Sequence, residues 1–96
     1  MDVSWAEKFK VLADPNRLAV VGELLRGECC AGDLSSRLAI EQTLLSHHLR
    51  VLREAGFVEA RREGKMINYS LAEGLNCAVS GRSIDLGCCQ ITFREE

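Results

Sequence analysis

Gln42-Thr43-Leu44-Leu45-Ser46-His47-His48-Leu49-Arg50-Val51-Leu52 has two unlike faces when wound as a helix. Leu45, Leu49 and Leu52 fall four and three residues apart and form an apolar stripe, which predicts a helix from Gln42 to Ala55. Gly56 ends it. On the other side Thr43, Ser46, His47 and Arg50 share a polar face, and Arg53 continues one edge of it. Gln42 stands at the start. Hydroxyls, an imidazole, an amide and guanidinium groups suit base edges and phosphates in a major groove. The positive end of the helix dipole adds attraction for phosphate near Gln42. Taken alone, such a strip reads most simply as a solvated helix face, so the flanking segments decide.

Upstream, Ala31 to Leu38 reads as a short helix with Ala31, Leu34 and Leu38 inward, and Ala39-Ile40-Glu41 as the turn that follows. Downstream the period changes. Phe57 to Arg62 and Lys65 to Leu71 read as strands, with Ile67, Tyr69 and Leu71 alternating against Met66, Asn68 and Ser70. Glu63-Gly64 is the expected hairpin turn. Two short helices across a tight turn, then a β-ribbon, is the order of a winged helix-turn-helix. In that arrangement Arg61, Arg62 and Lys65 flank the tip of the wing, where it would meet the phosphate backbone. The expected duplex-DNA contacts are therefore Gln42, Thr43, Ser46, His47, Arg50, Arg53, Arg61, Arg62 and Lys65. His48 lies four residues from both Leu44 and Leu52 and reads as a hydrogen-bonded interior histidine, not a base reader.

Trp5, Phe9 and Leu12 predict a first helix from Ser4 to Ala13. Asp14-Pro15 then opens a second, with Asp14 as cap and Pro15 at the position whose N–H is unpaired anyway. Leu18, Val21 and Leu25 mark its buried face. After Leu71 the pattern weakens: Ala72 to Ser80 reads as a short helix, Ser80 to Ser83 as a turn, and Ser83 to Phe93 partly alternates. The fold class expected is α+β, mainly α, in one domain over residues 1–96, with a core to residue 71 and a cysteine-containing tail over 72–96.

At 47% hydrophobic and 27% charged residues the composition is that of a folded domain, and the net charge of −2 gives the whole chain no attraction for nucleic acid. That attraction must come from the mildly basic stretch 42–65. No stretch is long and apolar enough to cross a bilayer, and Met1-Asp2-Val3-Ser4-Trp5 lacks a signal pattern, so a cytoplasmic location is expected. Five cysteines, an odd number, argue against a disulfide framework there. No Cys-x-x-Cys follows a strand, no glycine-rich phosphate loop is present and no nucleophile–base–acid set assembles, so enzymatic function is not expected.

Leu12-Ala13-Asp14-Pro15-Asn16-Arg17-Leu18, the Ser46-His47-His48-Leu49 helix, Gly56-Phe57-Val58 and Gly64-Lys65-Met66-Ile67-Asn68-Tyr69 resemble the ArsR/SmtB family of metal-sensing repressors, from about Trp5 to Leu71. The resemblance implies a homodimer on a near-palindromic operator, released when an inducer ion binds. It also implies that Cys30 stands at the first position of the arsenic sensors' Cys-Val-Cys stretch, with Gly32 at the second. Leu86-Gly87-Cys88-Cys89-Gln90 looks like the double-cysteine ending of other arsenic repressors. The acids and histidines that zinc sensors carry on a last helix are absent.

Thiolates are soft ligands suited to arsenite, antimonite or lead. No three cysteines are close enough in sequence to form a trigonal site locally, so Cys29 and Cys30 would be joined by Cys88 and Cys89 of the same or the partner subunit. As(III) or Sb(III) is the inducer expected. The dipole at the start of the third helix is expected to lower the thiol pKa of Cys29 and Cys30. The competing expectation is thiol oxidation or persulfide formation with the same effect on DNA. Cys77 reads as a small buried apolar residue. Trp5, Phe9 and the tail would supply the dimer contact.

Overall fold

Asp14 begins the second helix as its position predicts: its carboxylate accepts from Asn16 N–H at 2.8 Å and from Arg17 N–H at 3.1 Å, and Pro15 is the first helical residue. In the computed structural model, which describes residues 3–77, 83–87 and 89–94, that helix is the second of four. They are α1 (Val3–Leu12), α2 (Pro15–Leu24), α3 (Ala31–Leu38) and α4 (Gln42–Glu54). The strands are β1 (Cys29–Cys30), β2 (Val58–Glu63), β3 (Met66–Leu71), β4 (Asn76–Cys77), β5 (Ser83–Asp85) and β6 (Gln90–Thr92). The architecture is a winged helix-turn-helix.

The core is the meeting of the helices' inner faces with the base of the wing. Val20, Val21, Leu34, Leu45, Leu49, Leu52 and Phe57 are all essentially inaccessible to solvent. The expected stripe on α4 is buried, together with His48, while on α3 Leu34 is buried and Ala31 and Leu38 are only half so. On α2 the buried face is wider than Leu18, Val21 and Leu25, because Val20 and Leu24 are buried too and Leu18 only half so. A central helix touched on two sides hides more than one stripe. Truncating Leu34 or Leu52 to Ala would cost ~2–5 kcal/mol, as for other fully enclosed leucines.

The turn between α3 and α4 is held by two local devices. Ala39 takes the left-handed conformation at φ 54° and ψ 43°, the one non-glycine residue with positive φ among the described residues. Ser35 Oγ donates to Ile40 C=O at 2.6 Å, and Ile40 is buried beneath the turn. Together they set the angle at which α4 leaves α3.

The wing differs from expectation by one residue and gains a strand. Glu63 pairs with Met66, so the two turn residues are Gly64-Lys65, not Glu63-Gly64; Gly64 has φ 60°, which a left-handed hairpin turn demands. Lys65 therefore sits at the tip. The ribbon's third member is β1, antiparallel to β3 with Cys29 opposite Tyr69 and Cys30 opposite Asn68. A two-residue strand has no periodicity of its own, so only the fold brings it out.

The tail departs further. Over Ala72 to Ser80 no helix forms among the described residues; a turn leads instead into β4, and residues 78–80 lie outside the described residues, as does most of the expected Ser80–Ser83 turn. Gly74, at φ 84°, bends the chain where a helix would need negative φ. The partial alternation of Ser83 to Phe93 resolves into β5 and β6, which form a second three-stranded sheet in the order β4-β5-β6. Ile84 and Leu86 enter the core, Phe93 lies against Gly22 of α2, and Gly87 lies beside the Trp5 indole of α1.

Candidate nucleic-acid interface

Helix α4 turns Leu45, His48, Leu49 and Leu52 inward, which leaves Thr43, Ser46, His47, Arg50 and Arg53 exposed. These five line one concave groove of about 390 Å³ together with Tyr69 of the wing. A second cleft of about 440 Å³ adjoins it, sharing Ser46 and Tyr69 and adding Gln42, Lys65, Met66 and Cys30. The polar face of α4 and the wing tip are thus parts of one concave strip.

The nine expected contacts are not equivalent in this strip. Arg50 and Arg53 point from α4 into the groove, and Lys65 reaches the second cleft from the hairpin tip. Arg62 is exposed on β2 and has no ion pair among the described residues. Arg61 is engaged differently: its guanidinium pairs with Glu28 at 2.7 Å and with Glu63, whose carboxylate also accepts from Nε at 3.0 Å. Two acids hold it in its ionised form and tie the wing to the segment before β1.

The start of α4 also departs from expectation. Glu41 folds its carboxylate over the helix end and accepts from Thr43 N–H at 3.0 Å and Leu44 N–H at 3.1 Å. Those two bonds hold its carboxyl below the ordinary carboxylate value of 4.5. The first-turn amides that were expected to attract phosphate beside Gln42 are therefore already occupied by an anion of the chain itself. Glutamate is a less common cap than Asp or Ser, so the sequence alone did not single it out. Tyr69 was likewise not foreseen as a lining residue, because its role depends on how β3 lies beside α4.

His48 is buried, as its spacing predicts. A guanidinium N–H of Arg17 donates to its Nδ1 at 3.4 Å, while Arg17 Nε donates to Val11 C=O at 2.6 Å. Arginine has no acceptor, so Nδ1 carries the lone pair and the ring proton is on Nε2. Burial pushes the imidazole below its ordinary 6.5, against the upward pull of Asp14. His48 thereby links the recognition helix to the start of α2.

The cysteines are distributed over two places. Cys29 is buried in β1, and Cys30 is half-buried, caps α3 through its backbone and faces the second cleft. Cys89 is exposed just before β6, while Cys88 and the side chain of Cys77, expected to be buried, lie outside what the structure describes. Among the described residues no group of three or more His, Cys, Asp or Glu side chains is placed to hold a metal ion. Burial raises the Cys29 thiol above its ordinary 9.0, opposite to the lowering expected from the helix dipole. Desolvation of the thiolate outweighs the opposing pull of the Arg37 guanidinium.

Residues 14–60, which contain α2, α3, α4 and the start of the wing, match the family described as bacterial regulatory protein, arsR family. The probable mercury resistance operon repressor of Streptomyces lividans is 34% identical over 92 residues, covering 88% of this chain and 74% of that protein. The chain belongs to the ArsR family. A second relative, the biofilm growth-associated repressor of Agrobacterium fabrum, is 52% identical over 65 residues, which is 68% of this chain and 56% of that one. The chain thus spans little more than half the length of the Agrobacterium protein. Among solved structures, reduced HlyU from Vibrio cholerae N16961 superposes with a TM-score of 0.70 at 37% identity, covering 73% of this chain and 74% of HlyU. No helix among the described residues is long and apolar enough to cross a membrane.

Proposed function

We propose that this ArsR-family chain is a dimeric transcriptional repressor, docked on operator DNA through α4 and the wing and released when arsenite or antimonite binds its cysteine thiols. The observation that carries the DNA reading is the single strip made by Thr43, Ser46, His47, Arg50, Arg53 and Lys65. Short hydroxyls and an imidazole sit where bases would lie, and the cations sit where phosphates would. A dimer would place its two α4 helices in successive major grooves, about 34–36 Å apart. Phe9, 40% exposed on α1, offers an apolar patch for the dimer contact.

Soft-ion sensing rests on two vicinal cysteine pairs in so short a chain and on a relative named for resistance to mercury, a thiophilic metal. Arsenous acid takes up three thiols, each in exchange for one hydroxyl lost as water, and the Cys29-Cys30 and Cys88-Cys89 pairs together supply more than three.

Fluorescence anisotropy on duplexes from the promoter of the chain's own gene tests both parts. The expected result is salt-dependent binding that arsenite reverses, and variants Cys30→Ser, Cys88→Ser and Cys89→Ser that bind DNA but stay bound in arsenite. No binding at low salt would refute the DNA reading. Release of all three variants at the wild-type arsenite concentration would refute the ligand assignment, and release by peroxide but not arsenite would transfer it to thiol oxidation.

A further inference from the structure

Leu44 is the only large apolar side chain exposed on α4 among the described residues, and it remains 44% accessible. Its exposure is not slack at a frayed end. The Leu44 amide is bonded to the Glu41 carboxylate, and the next residue, Leu45, is anchored in the core, so the Cα–Cβ direction of Leu44 is fixed. Leu44 precedes His47 by three residues, so it flanks the polar face of α4 in the first turn of the helix, outside the lining of both clefts. A leucine held there is not part of the core, yet it borders a strip otherwise made of hydroxyls, imidazole and cations.

We propose that Leu44 is a specificity-determining residue that packs against the C5-methyl group of a thymine in the operator. This inference rests on the DNA reading given above. The thymine methyl is the one apolar group a base pair presents in the major groove, and apolar side chains recognise it by contact. Arg50, on the adjoining polar face of α4, matches a phosphate, so the apolar edge borders a surface of the right charge for duplex DNA. Burying one methyl against Leu44 is worth roughly a fourfold change in affinity for each half-site.

The full chain would first select its best duplex from a randomised library. Each thymine of that duplex is then replaced in turn by deoxyuridine, which removes the methyl and leaves every hydrogen-bonding group in place. One thymine per half-site should prove sensitive for the wild type, with roughly fourfold weaker binding. Leu44→Ala, which removes the contact from both half-sites at once, should bind the parent duplex roughly sixteenfold more weakly and lose that sensitivity, whereas Leu44→Met should keep it. A flat deoxyuridine scan with wild-type protein overturns the proposal while leaving DNA binding intact. So does Leu44→Ala that retains the sensitivity while Thr43→Ser loses it, because the reader is then the Thr43 methyl. Failure to select any duplex overturns the DNA reading itself.

Discussion

Acid should loosen this protein in a pH window set by His48. The imidazole is buried, accepts a hydrogen bond from Arg17 through Nδ1, and is held below the ordinary value of 6.5 by desolvation. The charged and titratable groups that face it are Asp14, Arg17 and His47, whose ring centroid lies 5.5 Å away. Because the folded value is depressed, the unfolded chain takes up the proton first as pH falls. Stability from the neutral ring is fully present above pH 6.5 and is lost progressively as the pH drops from there toward the folded-state value. A single proton bound only by the unfolded state gives a slope of at most about 1.4 kcal/mol per pH unit. Urea unfolding followed by circular dichroism from about pH 7.5 to about pH 5, at one fixed protein concentration, measures this slope. Replacing His48 by Gln keeps an acceptor for Arg17 and removes the titration, so the variant should be less stable at neutral pH but lose the His48 share of the slope. Wild type and His48→Gln with identical slopes below pH 6.5 would show that the ring is not the group responsible. Asp14 does not confuse the reading: its depressed carboxyl loses its contribution only as pH falls below its ordinary 3.8. Since His48 seats α4 on α2, DNA affinity should fall in the same window.

Three further changes separate the devices that shape the helix-turn-helix. Asp14→Ala removes two capping bonds and should lower stability by about 1 kcal/mol in urea titration, with operator affinity unchanged once the protein is folded. Ala39→Gly relieves a left-handed alanine and should raise stability by roughly 0.5–1 kcal/mol, seen as a higher melting temperature. Glu41→Gln keeps an oxygen over the Thr43 and Leu44 amides but removes the charge, so binding to all duplexes should tighten roughly two- to fivefold at low salt and the difference should shrink as salt is added.

Legibility in the sequence followed the range of the interactions involved. The α3 and α4 boundaries, the Asp14 cap and the interior place of His48 were all readable, because each rests on neighbours three or four residues away. The tail was misread for the same reason. Gly74 and the short strands β4, β5 and β6 carry too few residues to show a period, and their partners lie five to nine positions along the chain. The turn slipped by one residue because Glu63-Gly64 and Gly64-Lys65 both suit a hairpin; the pairing of Glu63 with Met66 decides between them.

The site was legible as a list of residues and not as an electrostatic arrangement. Composition showed basic side chains around α4 and the wing, but a cation's use depends on which acid lies within reach, and that is a property of the fold. Arg61 is counted with Arg62 in the sequence, yet the return of β1 beside β3 brings Glu28 to Arg61 and leaves Arg62 without such a partner among the described residues. The same ladder sets Cys29 and Cys30 opposite Tyr69 and Asn68. Any ligand that draws the cysteines therefore pulls on the strand that carries the wing, and on the acid that restrains Arg61. The cysteine segment and the ribbon are one sheet, so an inducer bound at the cysteines, as proposed above, would have a path to the wing through backbone hydrogen bonds as well as through the core that Cys29 shares with α2 and α4.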